Sequence, residues 1–129
     1  MPKSERRSRP RAAARRLPQV LTLGIHAALE KKATDVVALD LRQGTAFTDF
    51  FVIATAGNVR QAQAIADGIQ EALRAEGIRP ALVEGYERAG WILIDYFDAV
   101  FHIFTPVNRE FYALERLWGD ARRIEIPEI

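Results

Sequence analysis

Asp95, Asp98 and His102 fall within eight positions of GWILIDYFDAVFHIF (90–104), a stretch that is otherwise mostly apolar and β-forming. Two carboxylates and an imidazole this close could do acid–base work, hold a metal, or pair with cations on a partner. A two-metal nucleotidyl-transfer site would use an Asp-x-Asp pair, because only residues i and i+2 share a strand face. The chain has no Asp-x-Asp: Asp95 and Asp98 are three apart with a turn expected between them, and Asp40 stands alone on another expected strand. Turn carboxylates are more often solvated than catalytic. His102 shares a strand face with Val100 and Phe104, the setting of a hydrogen-bonded, partly buried histidine. His26 is the only other histidine and there is no cysteine, which disfavours zinc. No serine follows Ser8, so a hydroxyl nucleophile would have to be Thr or Tyr. The turn TAGNVR (55–60) could present backbone N–H groups to an anion, but Asn58 is placed to use those donors as a helix cap. There is no G-x-G-x-x-G and no P-loop. No catalytic residue, metal ligand or cofactor is expected.

The third kind of chemistry fits better. Along WILID, Trp91, Leu93 and Asp95 alternate against Ile92, Ile94 and Tyr96. An aromatic beside carboxylates is a good anchor for a basic protein. Glu84, Glu87, Asp95 and Asp98 would form an acidic rim if the short strands lie side by side. The alternative is that Trp91 fills the core and the acids are simply solvated; composition does not decide between them.

Charge is divided unevenly along the chain. Residues 1–16 carry seven basic residues (Lys3, Arg6, Arg7, Arg9, Arg11, Arg15 and Arg16) and one acid, Glu5, for a net +6. The remainder holds eleven basic and sixteen acidic residues, a net −5. Such an arm favours RNA phosphates through counterion release, whereas the acidic body suits a basic protein. The arm has three prolines in its first 18 residues and little to bury, so disorder is expected. Weak RNA contact through Arg6, Arg7, Arg9, Arg11, Arg15 and Arg16 and an idle solvated tail stand equal. Organellar targeting ranks third, since the prolines oppose the amphipathic helix of a transit peptide. No apolar run is long enough to span a bilayer.

The elements that must position these residues follow from pattern. Pro18 opens a helix whose stripe is Leu21, Ile25, Ala28, Leu29 and Lys32; Gly24 weakens it and His26 falls outside the stripe. DVVALDLR (35–42) and DFFVIATA (49–56) read as an antiparallel hairpin. GNVRQAQAIADGIQEALRAEG (57–77) is the clearest helix, with Asn58 as N-cap, Gln61 three residues on, and Gly77 as the stop. A short strand ends near Gly85, and WILID and AVFHIFT follow as two more, joined at DYFD. Thr105 and Pro106 open a last helix with the stripe Val107, Phe111, Leu114, Leu117 and Trp118, and Gly119 closes it. The order α-β-β-α-β-β-β-α implies an α/β fold, a mixed five-stranded sheet with flanking helices. Three regions result: a basic arm over residues 1–18, a domain over 19–119, and a mixed tail over 120–129.

DVVALDL, TDFFVIATAGNVRQAQAIADGI, VEGYERAGWILIDYFDAVFHIF and REFYALERLW occur in this order and spacing. Together they resemble the Iojap family, the ribosomal silencing factors, over about Leu21–Trp118. The resemblance implies a nucleotidyltransferase-like α/β fold without nucleotidyltransferase catalysis, in keeping with the missing Asp-x-Asp. It implies binding to the large ribosomal subunit through ribosomal protein L-fourteen, which blocks joining of the small subunit and represses translation when nutrients are scarce. Carried over onto this chain, the partner-binding residues are Glu84, Gly85, Trp91, Asp95 and Asp98, with Tyr96 and Arg60 as a second tier. Asp49 and Asn58 also match but read as a strand start and a helix cap. Phe97 departs from the pattern, which commonly has glycine at this turn. The resemblance is compatible with a homodimer when the protein is free, and with no secure transit peptide the expected location is the bacterial cytoplasm. The competing reading is a nucleotidyltransferase-like nucleotide-binding enzyme, against which the absent carboxylate pair counts.

Overall fold

The computed structural model describes residues 17–44 and 48–126. The arm arginines at positions 6, 7, 9, 11, 15 and 16 lie outside the described residues. The elements are α1 (Gln19–Glu30), β1 (Thr34–Asp40), β2 (Phe50–Thr55), α2 (Val59–Arg74), β3 (Leu82–Glu84), β4 (Trp91–Asp95), β5 (Ala99–Phe104), α3 (Pro106–Tyr112), α4 (Leu114–Leu117) and β6 (Arg122–Ile124). One six-stranded sheet runs in the order β3-β4-β5-β2-β1-β6. The β1–β2 and β4–β5 hairpins are antiparallel, and β2 and β5 join them in parallel. The fold is therefore the expected mixed α/β sheet with flanking helices, with six strands rather than five. The sixth falls in the stretch read as a tail, where RRI pairs antiparallel with Ala38–Asp40. A three-residue edge strand carries no periodic signal of its own, so its pairing depends on an edge that only the folded sheet provides.

The two long helices cover one sheet face. From α1, Leu21, Ile25 and Ala28 are buried, and from α2, Ala62, Ile65, Ala66, Ile69 and Leu73. They pack on Ala38, Phe50, Val52, Ala54, Ile92, Ile94, Phe101 and Ile103. Each fully buried Leu, Ile or Phe here contributes about 1.5–3 kcal/mol. The start of α2 is as the sequence specifies: Asn58 Oδ1 accepts from the Gln61 N–H at 2.8 Å, and Gln61 Oε1 accepts from the Gly57 N–H at 2.6 Å. The first helix is shorter than expected. It ends at Glu30, and Lys32 sits beyond it in the left-handed region at φ 69°, outside the apolar stripe.

The second face is closed differently. A smaller cluster of Leu39, Leu41, Phe51, Ile53, Val100 and Phe104 is flanked by Val37, Trp91, Leu93, Leu114, Trp118 and Ala121. The single last helix expected from the sequence is in fact two short ones, broken at Ala113 with φ 46°. Of its expected apolar stripe, only Leu114 and Trp118 pack on the sheet. Val107, Phe111 and Leu117 are more than 70% exposed. Pro106 does occupy the first turn of α3, but Thr105 Oγ1 accepts from Asn108 Nδ2 at 3.0 Å rather than from a backbone N–H.

Gly24 lies where α1 crosses the sheet most closely. A β-carbon there would fall 2.1 Å from Cζ of the buried Phe101 ring. The glycine weakens the helix locally and permits this approach. Gly24→Ala is therefore expected to destabilise the fold by about 1–3 kcal/mol through overpacking, against the roughly 1 kcal/mol that helix propensity alone would return. Urea unfolding measures the difference, and adding Phe101→Leu should recover most of the loss.

Candidate protein-docking surface

Alternation along β4 sends Ile92 and Ile94 into the helical core and leaves Trp91, Leu93 and Asp95 half-buried on the second face. Strand β3 pairs Glu84 with Leu93 and Leu82 with Asp95, so Glu84 and Leu82 share that face. Glu84 is exposed, and Asp98 is exposed in the turn that follows β4. The expected side-by-side strands are thus present, and they bring Glu84, Trp91, Leu93 and Asp95 onto one strip.

Trp91 is neither core nor free. Its ring packs against Tyr112 at 4.6 Å and Phe104 at 5.1 Å between centroids. Its indole N–H donates to His102 Nδ1 at 3.1 Å. The bond explains the histidine. His102 is 3% exposed and edge-on to Phe51, and burial lowers its pKa to about 4. Accepting at Nδ1 places the imidazole proton on Nε2, which has no protein partner. His102 is the hydrogen-bonded histidine that the strand alternation suggests, and it orients Trp91.

Tyr96 lies apart from the strip. It points to the other side of the sheet, packs edge-on against Phe101 and is 5% exposed. Burial pushes its hydroxyl up to about 12. It belongs to the helix-side core and not to the strip with Trp91. Arg60 is exposed in the first turn of α2, on an element packed against the opposite sheet face. Gly85 has a structural reason of its own. Its φ is +80°, and a β-carbon there would lie 2.1 Å from the Trp91 carbonyl oxygen. This contact lets the loop 85–90 return into β4.

In the turn, the Asp95 carboxylate is engaged by the backbone, whereas Asp98 is tied in through its main chain. Asp95 Oδ1 accepts from the Phe97 N–H at 2.8 Å. The Asp98 carbonyl oxygen accepts from the N–H groups of Asp49 and Phe50, tying the turn to β2. Among the described residues no group of three or more His, Asp or Glu side chains could hold a metal ion. Asp40, the lone strand carboxylate, belongs to an ion-pair cluster. Burial pushes its pKa up, but hydrogen bonds from Arg42 and Arg122, with Arg42 Nη2 at 2.7 Å, outweigh that and bring it down to about 2.

One functional support gave no signal in the sequence. Helix α3 buries no residue, yet it carries Tyr112 against Trp91. Arg109 holds it in place. Its guanidinium bonds Thr55 Oγ1 at 2.8 Å, the Asp35 carbonyl oxygen, and Glu115 through Nη2 at 2.7 Å and Nε at 3.3 Å. The hydrogen bonds from Arg109 lower the Glu115 pKa. An arginine near a glutamate is common in any helix, and nothing in its spacing reveals that it spans three elements.

A six-stranded mixed sheet with two long helices on one face and a half-covered aromatic strip on the other defines a small α/β domain. A family model described as ribosomal silencing factor during starvation, RsfS, matches residues 14–129. The chain belongs to the ribosomal silencing factor family. The ribosomal silencing factor RsfS of Halalkalibacterium halodurans is 41% identical over 111 residues, covering 86% of this chain and 95% of that protein. The chloroplastic protein Iojap of Zea mays is 38% identical over 101 residues, 78% of this chain and 44% of that one. A crystal structure from Bacillus halodurans superposes with a TM-score of 0.74 at 38% identity, over 83% of this chain and 97% of that one. One from Chromobacterium violaceum gives 0.76 at 30% identity, over 86% and 92%.

The buried histidine makes stability depend on pH. Its folded pKa of about 4 lies below the ordinary 6.5, so between these values the unfolded chain binds a proton that the folded chain does not. Stability is therefore full above about pH 6.5 and is lost as pH falls toward 4, by a total of about 3 kcal/mol. Urea unfolding at a series of pH values should show this slope. In His102→Gln, which keeps an acceptor for the indole, the contribution of this residue to the slope should vanish.

Proposed function

We propose that this protein is a non-catalytic silencing factor. It binds the large ribosomal subunit through ribosomal protein L-fourteen, blocks association with the small subunit and represses translation under nutrient limitation. The observation that carries the reading is the strip of Glu84, Trp91, Leu93 and Asp95: an oriented, half-buried aromatic with carboxylates beside it and no reactive group among them. An aromatic anchor with an acidic rim complements a basic ribosomal protein, and the net −5 body steers it there. Obstruction needs volume at the joining face and no chemistry, so neither a cofactor nor a metal enters the reading. The names of the relatives, ribosomal silencing factor and Iojap, support it. The site of action is the bacterial cytoplasm, where free large subunits are found. The arm supplies a weak, salt-sensitive contact with ribosomal RNA, and a homodimer is the state of the protein when no subunit is available.

Sedimentation of purified subunits tests this. Wild type is expected to travel with the large subunit and to reduce subunit joining in the same gradients. Trp91→Ala, checked for folding by circular dichroism, should weaken binding at least about thirtyfold, the size of a hot-spot loss. Glu84→Lys reverses an exposed charge and should weaken binding without altering stability. Wild type remaining at the top of the gradient would refute the proposal. Removing residues 1–16 should lower both affinity and its salt dependence while leaving specific binding in place. Complete loss on that deletion would move the docking site from the sheet to the arm.

A further inference from the structure

The β4–β5 turn holds an aromatic in an unfavourable position. Phe97 has φ +71°, in the left-handed region where any residue with a β-carbon is strained and where glycine is at ease. Its ring is 73% exposed. A residue in this state contributes little to the folded protein: its backbone is strained and its side chain stays largely in water.

The turn around it is nevertheless firmly held. The Phe97 N–H donates to Asp95 Oδ1 at 2.8 Å, and its carbonyl oxygen accepts from the buried Thr48 hydroxyl at 2.7 Å. Asp98 N–H closes the turn on the Tyr96 carbonyl oxygen at 2.8 Å. None of these bonds uses the side chain of residue 97, so they display the ring without depending on it. Leu82 is 46% exposed and lies opposite Asp95, at the same end of the sheet. The exposed Asp98 follows Phe97 directly. Phe97 therefore stands two residues beyond the Trp91–Leu93–Asp95 strip, at the end of the sheet where Leu82 is also exposed, with Asp95 and Asp98 flanking it in sequence.

We infer that Phe97 is a preorganised apolar anchor of the docking surface, inserted into an apolar depression rimmed by Lys or Arg on the basic protein that the strip binds. The inference rests on the proposed docking function and adds a residue to it. The occupant follows from charge: Asp95 and Asp98, which flank Phe97 in the turn, repel an anionic partner and favour a cationic one. Arginine on that rim could also lie over the ring face. Because the backbone is already held, little ordering entropy is lost on docking.

The test is Phe97→Gly, measured for thermal unfolding and for affinity to purified large subunits. Glycine relieves the left-handed strain and keeps every backbone bond of the turn, so the variant folds. The expected result has opposite signs: the unfolding midpoint rises by a few degrees while the dissociation constant increases about tenfold. Phe97→Leu, which keeps an apolar tip, should recover part of the affinity. If wild type binds the large subunit and Phe97→Gly binds equally well, the inference is overturned and the docking proposal stands. If wild type does not bind, both are overturned. If the only change in Phe97→Gly is loss of self-association in analytical ultracentrifugation, the ring serves a second copy of this chain and the assignment to a basic partner is overturned.

Discussion

Strands β2 and β5 are buried at every position, and they pair in parallel at the centre of the sheet. A strand buried on both sides requires cover on both sides. The chain has two long amphipathic helices, and both go to the same face. What remains for the other face is short: two helices of seven and four residues, with Trp118 and Ala121 just beyond them. This asymmetry governs the rest of the molecule. One face is a closed hydrophobic core, whereas the other is closed over β1 and β2 and left half-open over β4.

The half-open region is stabilised by polar and aromatic contacts more than by bulk burial. Arg109 fastens α3 to the ends of β1 and β2 and to Glu115, replacing the apolar anchoring that α3 lacks. Tyr112, carried by α3, packs on Trp91, and His102 accepts the indole proton from below. Trp91 is thus held between a residue placed by an arginine clamp and a buried neutral histidine. An aromatic held this way loses little freedom when a partner covers it, which is the property a docking anchor needs. It also means that damage to the clamp or to the histidine reaches the surface indirectly.

Much of this was legible from residue patterns. The period of 3.6 in residues 57–77 and the alternation in 91–95 and 99–104 locate α2, β4 and β5 and separate Trp91, Leu93 and Asp95 from Ile92 and Ile94. The same alternation places Tyr96 on the helix side, where it is buried, although the family motif had counted it among the partner-binding residues. Phe97 was legible as an anomaly, and its positive φ explains why glycine suits the position. Less legible were features that depend on contact between distant segments. The stripe Val107–Phe111–Leu117 has helical spacing and reads as core, but the chain breaks at Ala113 and no sheet lies beneath these residues. Strand β6 and the Arg109 clamp exist only because other elements bring their partners to them.

The sequence by itself determined the class of the fold, the Asn58 cap of α2, the two hairpins and the absence of an Asp-x-Asp pair, because these depend on local propensity and on residue spacing along single elements. Only the tertiary structure decided that both long helices share a face, that His102 is neutral and bonded to Trp91, and that Glu84 stands across from Leu93. Each of these is set by which strands become neighbours, and strand order is a property of the whole sheet rather than of any one segment.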